Sequence, residues 1–122
     1  MNTNELITTY LEGWRLGEPE LSLSVTAQDF YYIDPNTGKI PRDDFVEFMN
    51  AFKADASKLC NGTVPQPFLE YSNIVIEAED PVFTVWCWWR VNQTEFQGSA
   101  LIKASEKGIL SEQIAYFTKL PS

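Results

Sequence analysis

The chain contains no histidine. That excludes Ser-His-Asp and Cys-His nucleophile schemes, His-ligated zinc and a histidine general base. Any acid–base chemistry must rest on carboxylates, tyrosines, lysines or bound water. Cysteine is scarce, with Cys60 and Cys87 alone among 122 residues. Two thiols can pair, but they do not make the disulfide framework of a small secreted domain. Reduced thiols are the expectation, with Cys87 packing as a small core residue. GxGxxG, P-loop and CxxC signatures are absent, as is any internal repeat. Cations are also few: nine Lys and Arg face seventeen Asp and Glu, for a formal net charge of −8. A surface of that sign repels phosphate backbones, so no nucleic-acid partner is expected. The opening MNTNELITTYLEGW lacks a basic segment followed by an apolar stretch, so it does not read as a signal peptide. The apolar run around VFTVWCWW is too short to span a bilayer. These features predict a cytoplasmic protein with no membrane partner.

What is present is apolar and aromatic. Hydrophobic residues make up 44% and aromatic residues 14% of the chain, enough for one globular domain over residues 1–122 with a substantial core. Asn2 to Leu16 reads as a helix. Asn2 can cap it with Glu5 three residues on, and Leu6, Ile7, Tyr10, Leu11 and Trp14 form one apolar stripe. Gly17 is a natural stop, and Pro19 can start a short second helix through about Val25. Phe30 to Ile33 reads as a short strand, in which alternation carries Phe30, Tyr32 and Asp34 onto one face. DPNTG is a turn, and Pro41 fits the first position of a third helix with Phe45, Phe48, Met49 and Phe52 as its buried stripe.

The second half changes character. Strand-like runs cover Phe68 to Glu77, Val82 to Val91, Glu95 to Ala104 and Ile109 to Thr118, separated by connections short enough for hairpins. Helices followed by a meander of long strands form an α+β arrangement. In VFTVWCWWRV both faces are apolar, with Trp86 and Trp88 on one and Val85, Cys87, Trp89 and Val91 on the other. Helices can cover one face only. A second copy of the chain is the simplest cover for the other, which predicts a homodimer through the outer sheet face.

These features together resemble the nuclear transport factor 2-like fold, which includes ketosteroid isomerases and SnoaL-like polyketide cyclases. The resemblance rests on the first helix with Tyr10 and Trp14, the Pro-opened second helix, QDFYYIDP followed by Gly, the aromatic third helix and four closing strands. It implies a single SnoaL-like domain: a cone in which a strongly bent antiparallel sheet wraps N-terminal helices around a pocket for an apolar small molecule. In the isomerases an Asp before Pro at the end of the first strand removes a proton next to a carbonyl. A Tyr of the first helix and a protonated carboxylic acid of a later strand donate to the oxyanion. Asp34-Pro35 matches that Asp, and Tyr10 matches that Tyr. The resemblance implies these as catalytic candidates in isomerase- or cyclase-type chemistry on an apolar carbonyl compound, with no cofactor and no metal. The strand EFQGSALIKA offers no acid after Glu95, so the third group has no counterpart there. The cyclases' late histidine has none either.

Asp34 has a second reading, since an Asp before Pro accepts hydrogen bonds from following turn amides. Tyr10 can likewise be a packed core tyrosine with one hydroxyl partner. Trp14, Tyr32, Phe48, Phe52, Trp88 and Gln113 are the candidate pocket wall, with Gln113 preferred over its neighbour Glu112. The competing function is a non-catalytic ligand-binding or dimerisation module, favoured if side chains fill the cone.

Overall fold

The computed structural model describes residues 1–117. Helix α1 spans Thr3–Leu16 and begins with a complete capping box. Asn2 Oδ1 accepts from the Glu5 N–H at 2.9 Å, and Glu5 Oε1 accepts from the Asn2 N–H at 3.0 Å. Gly17, at φ 70°, turns the chain out of the helix. The short α2, Pro19–Leu23, packs back on α1, where the Ser22 hydroxyl donates to the Tyr10 carbonyl at 2.8 Å.

Strand β1 runs Thr26–Asp34, longer than the sequence pattern marks. DPNTG is the tip of a hairpin to β2, Gly38–Pro41, a strand the pattern did not reveal. Pro41 therefore closes a strand and precedes a 3-10 turn, Arg42–Asp44. The third helix, α3, starts later and covers Phe45–Ser57. It buries Phe45, Met49, Phe52 and Ala56, with Phe48 half-buried beside them.

The meander follows as β3 Leu69–Glu77, β4 Phe83–Val91, β5 Gln97–Ser105 and β6 Gly108–Phe117. Thr118, expected at the end of the last strand, lies outside the described residues. The six strands form one sheet in the order β2-β1-β6-β5-β4-β3, curled but unclosed, with the helices against its concave side. This is the α+β cone. Its sheet is mixed and not wholly antiparallel, because β1 runs parallel to β6. The other neighbours are hairpin-linked and must alternate in direction. β1 and β6 come from opposite ends of the chain, so no tight turn sets their direction.

Cross-strand register divides the sheet into rows. One inner row places Glu112 beside Tyr32 and Ile102, continuing to Val85. A second inner row joins Tyr71, Trp89, Gly98 and Tyr116. Gly98 is required there: a Cβ would stand 1.8 Å from the Ala115 carbonyl oxygen and 2.6 Å from the Trp89 ring. The outer row between them holds Val75, Trp86, Leu101 and Gln113. Trp88 also faces outward, against Phe117 at 5.7 Å between ring centroids. Of the three β4 tryptophans, Trp86, Trp88 and Trp89, Trp89 is the inner one.

Candidate functional site

Two acid–phenol pairs lie on the inner surface of the cone, and each joins one N-terminal residue to β6. Tyr10, on the buried stripe of α1, donates to Glu112 Oε1 at 2.5 Å. Tyr116, near the end of β6, donates to Asp34 Oδ2. Asp34 and Tyr10 therefore belong to different pairs. The structure does not bring them together across an open cavity.

The Asp34 carboxylate is fixed from two sides. Its Oδ1 accepts from the Asn36 N–H at 2.7 Å and the Thr37 N–H at 3.1 Å, so the turn reading of DPNTG holds. Its other oxygen faces inward to the Tyr116 hydroxyl, and the residue is 3% exposed. Burial, reinforced by the adjoining Asp34, pushes the Tyr116 phenol well above its ordinary value.

Glu112 is the acid that the sequence reading did not place. Strand period puts it inside and Gln113 outside, opposite Leu101, so Gln113 does not line the pocket. Trp88 is excluded from the wall for the same reason. Burial raises the Glu112 carboxyl from 4.5 to about 8, against the opposing hydrogen bond from Tyr10. At neutral pH the residue is thus mainly a neutral carboxylic acid with an O–H to donate. Around it stand Tyr10, Tyr32, Tyr71 and Cys87. All four are pushed up chiefly by burial and further by Glu112, the Cys87 thiol to about 12.

Glu112 faces a small void of about 10 Å³, room for about one water molecule. Trp14, Tyr32, Phe52, Leu69, Tyr71, Trp89 and Ile114 complete its wall. The Trp14 indole N–H is buried without a hydrogen-bond partner. It still lies near enough to the Tyr10–Glu112 pair to favour the ionised form of each. Phe48 stands one layer out, 4.8 Å from the Tyr32 ring and 6.1 Å from Phe52. Tyr10 is behind the void and touches Glu112, so it orients the acid. A larger surface depression of about 570 Å³ lies apart from this cluster, along Thr3, Pro81, Val82 and Leu110. Its buried polar residue, Ser105, already accepts from the Lys107 N–H at 3.1 Å.

Beside the void, aromatic rings pack against one another. Phe52, Phe96 and Tyr116 stack, with Phe96 and Tyr116 5.4 Å apart and 8° from parallel. Trp89 meets both Phe96 and Tyr116 edge-on. Among the described residues no group of three or more acidic or cysteine side chains is placed to hold a metal ion. No described helix is long and apolar enough to cross a membrane.

A curled, unclosed six-stranded mixed sheet with N-terminal helices is the architecture of the nuclear transport factor 2-like fold, and this chain has that fold. Among solved structures it is similar to an NTF2-like protein of unknown function from Cytophaga hutchinsonii. That match has 11% identity and a TM-score of 0.65, over 96% of this chain and 91% of that one. It is also similar to a candidate ketosteroid isomerase from Kribbella flavida, with 13% identity and a TM-score of 0.62, over 98% of this chain and 83% of that one. A candidate polyketide cyclase from Xanthomonas campestris matches with 14% identity and a TM-score of 0.60, over 93% and 89% of the two chains. No protein-family model and no curated protein sequence matches the chain.

Proposed function

We propose that the cone binds an apolar small molecule bearing one carbonyl oxygen, and that this oxygen is received at the void by Glu112 and Trp14. The observation that carries this reading is the pairing of two unspent donors on one void. The Trp14 N–H has no partner, and a neutral Glu112 has an O–H to give. A buried donor left unpaired costs about 1–3 kcal/mol, so an acceptor at that place is favoured. The remaining walls are aromatic or aliphatic, which suits a ligand without charge. The similarity to a candidate isomerase and a candidate cyclase agrees with such a ligand.

The same arrangement supports acid–base chemistry. Asp34 is the base that removes a proton next to the carbonyl, and the neutral Glu112 donates to the developing enolate. Tyr10 holds Glu112 in place rather than touching the substrate. A panel of fused-ring ketones tests both levels. Binding should shift the Trp14 indole N–H resonance, and solvent deuterium should enter beside the carbonyl. Asp34→Asn should abolish the exchange while the chain stays folded and the Trp14 shift persists. A Trp14 resonance unmoved by every ketone would refute the binding site, and full exchange in Asp34→Asn would refute the base.

The outer sheet face favours self-association alongside this role. Val75 and Trp86 sit opposite each other there at 56% and 50% exposure, flanked by Leu101 and Trp88. We propose a homodimer through this face. Sedimentation should give a dimer that Trp86→Glu converts to monomer; a monomeric wild type at micromolar concentration would refute it.

A further inference from the structure

The void is too small for any ketone, so whatever binds must first displace part of the protein. Phe96 is the side chain placed to move. It follows β4 on the short connection to β5, outside both strands, and is only half-buried. Its ring lies between two spaces. On its inner side it stacks on Phe52 at 5.6 Å, and Phe52 walls the void. On its outer side it lines a groove of about 390 Å³ shared with Leu59, Thr94 and Glu95.

Its surroundings form a slot for a flat ring. Tyr116 lies nearly parallel at 5.4 Å, Phe52 is 26° from parallel, and Trp89 closes one edge at 86°. Parallel faces with an edge-on neighbour form the geometry in which aromatic rings attract each other. Tyr116 is held by Asp34, Trp89 by its indole N–H donating to the Ser99 carbonyl at 3.1 Å, and Phe52 by the buried face of α3. Three walls are thus anchored through partners of their own, while the Phe96 side chain is anchored only by the stack. Its main chain is also fixed. The Val91 N–H donates to the Phe96 carbonyl at 2.9 Å, and the Phe96 N–H donates to Thr94 Oγ1 at 3.0 Å. Displacement therefore needs only side-chain rotation, and Leu59, 59% exposed, offers the rotated ring an apolar berth in the groove.

We propose that Phe96 is an internal occupant of a ring-binding slot, and that planar aromatic or polyunsaturated ligands enter the cone by taking its place. This rests on the reading of the cone interior as a ligand site and names the shape of the ligand that site admits. Because Phe96 competes with the ligand, the wild type binds weakly and its affinity rises when the competing ring is removed.

Indole, flat and uncharged, is the probe, titrated into wild type, Phe96→Ala and Phe96→Leu by calorimetry and aromatic-carbon NMR. The expected result is at least tenfold tighter binding to both variants. In the wild-type complex the Phe96 ring resonances should move to solvent-like positions. Phe96→Leu keeps most of the bulk, so it serves if the alanine variant fails to fold. Cyclohexanol, of similar size but not flat, should gain little from either substitution. Equal gains for cyclohexanol would mark a generic cavity and overturn the slot. Equal indole affinity in all three chains would overturn displacement while leaving the ligand reading intact. No binding of indole to any of them would also overturn the slot, while the carbonyl-ligand reading stands or falls on the ketone panel.

Discussion

The raised carboxyl of Glu112 has a direct thermodynamic consequence. In the unfolded chain it ionises near its ordinary value of 4.5, and in the folded chain only near 8. Between those values the folded state holds a proton that the unfolded state has lost, so stability falls as pH rises through this window. Below about 4.5 both states are protonated and the contribution is fully present; above about 8 both are ionised and the loss is complete. At about 1.36 kcal/mol for each pH unit, the window corresponds to roughly 5 kcal/mol, a large share of a domain's whole stability. The group is 2% exposed, so solvent does little to reduce it. Glu112→Gln keeps an acceptor for the Tyr10 hydroxyl and removes the titration. Urea unfolding at pH 5, 6.5 and 8 should show the wild type losing several kcal/mol across the series and the variant losing little. At pH 8 the variant should be the more stable of the two, less about 1–3 kcal/mol if its amide N–H groups find no acceptor. General repulsion among the acidic surface charges acts on both chains and cancels in their difference. Parallel pH profiles for the two would refute a neutral, buried Glu112.

Tyr10→Phe removes the hydroxyl that favours the ionised form of Glu112, so the Glu112 titration midpoint, followed by carboxyl-carbon NMR, should move above that of the wild type. A lower or unchanged midpoint would show that the two groups are not bonded in solution. Asn2→Ala removes the side-chain arm of the α1 capping box, the acceptor for the Glu5 N–H, and should cost about 1 kcal/mol in denaturant unfolding, with ligand binding unchanged.

Much of this fold is legible along the chain. The capping box at Asn2 and Glu5, the αL glycine at Gly17, the stripe on α1 and the hairpin spacings of the meander are local signals, and local chemistry fixes them. The second strand escaped notice because four residues after a tight turn carry no period of their own, and Pro41 reads equally well as a strand end or a helix start. Site residues were harder. Period two announces that one of Glu112 and Gln113 faces inward, but which one depends on the register with β5. A one-residue slip exchanges every side chain between faces. The same ambiguity assigned Trp88 to the wall that Trp89 occupies.

The partners of Asp34 and Tyr10 lay further still from sequence reasoning. Both residues stand out locally, one before a proline and one on an apolar stripe, yet their hydroxyl and carboxyl partners are 82 and 102 positions away on β6. The sequence by itself determined an acidic, histidine-free α+β chain whose acid–base chemistry must rest on carboxylates, phenols, lysines or bound water. Only the tertiary structure decided how they pair. The parallel alignment of β6 on β1 carries Glu112 beneath Tyr10 and Tyr116 beside Asp34, and the curl of the sheet then closes the cone on Phe52 and Phe96. Those contacts come from pairing distant strands, and burial in that pairing is what turns Glu112 from an ordinary carboxylate into a neutral acid.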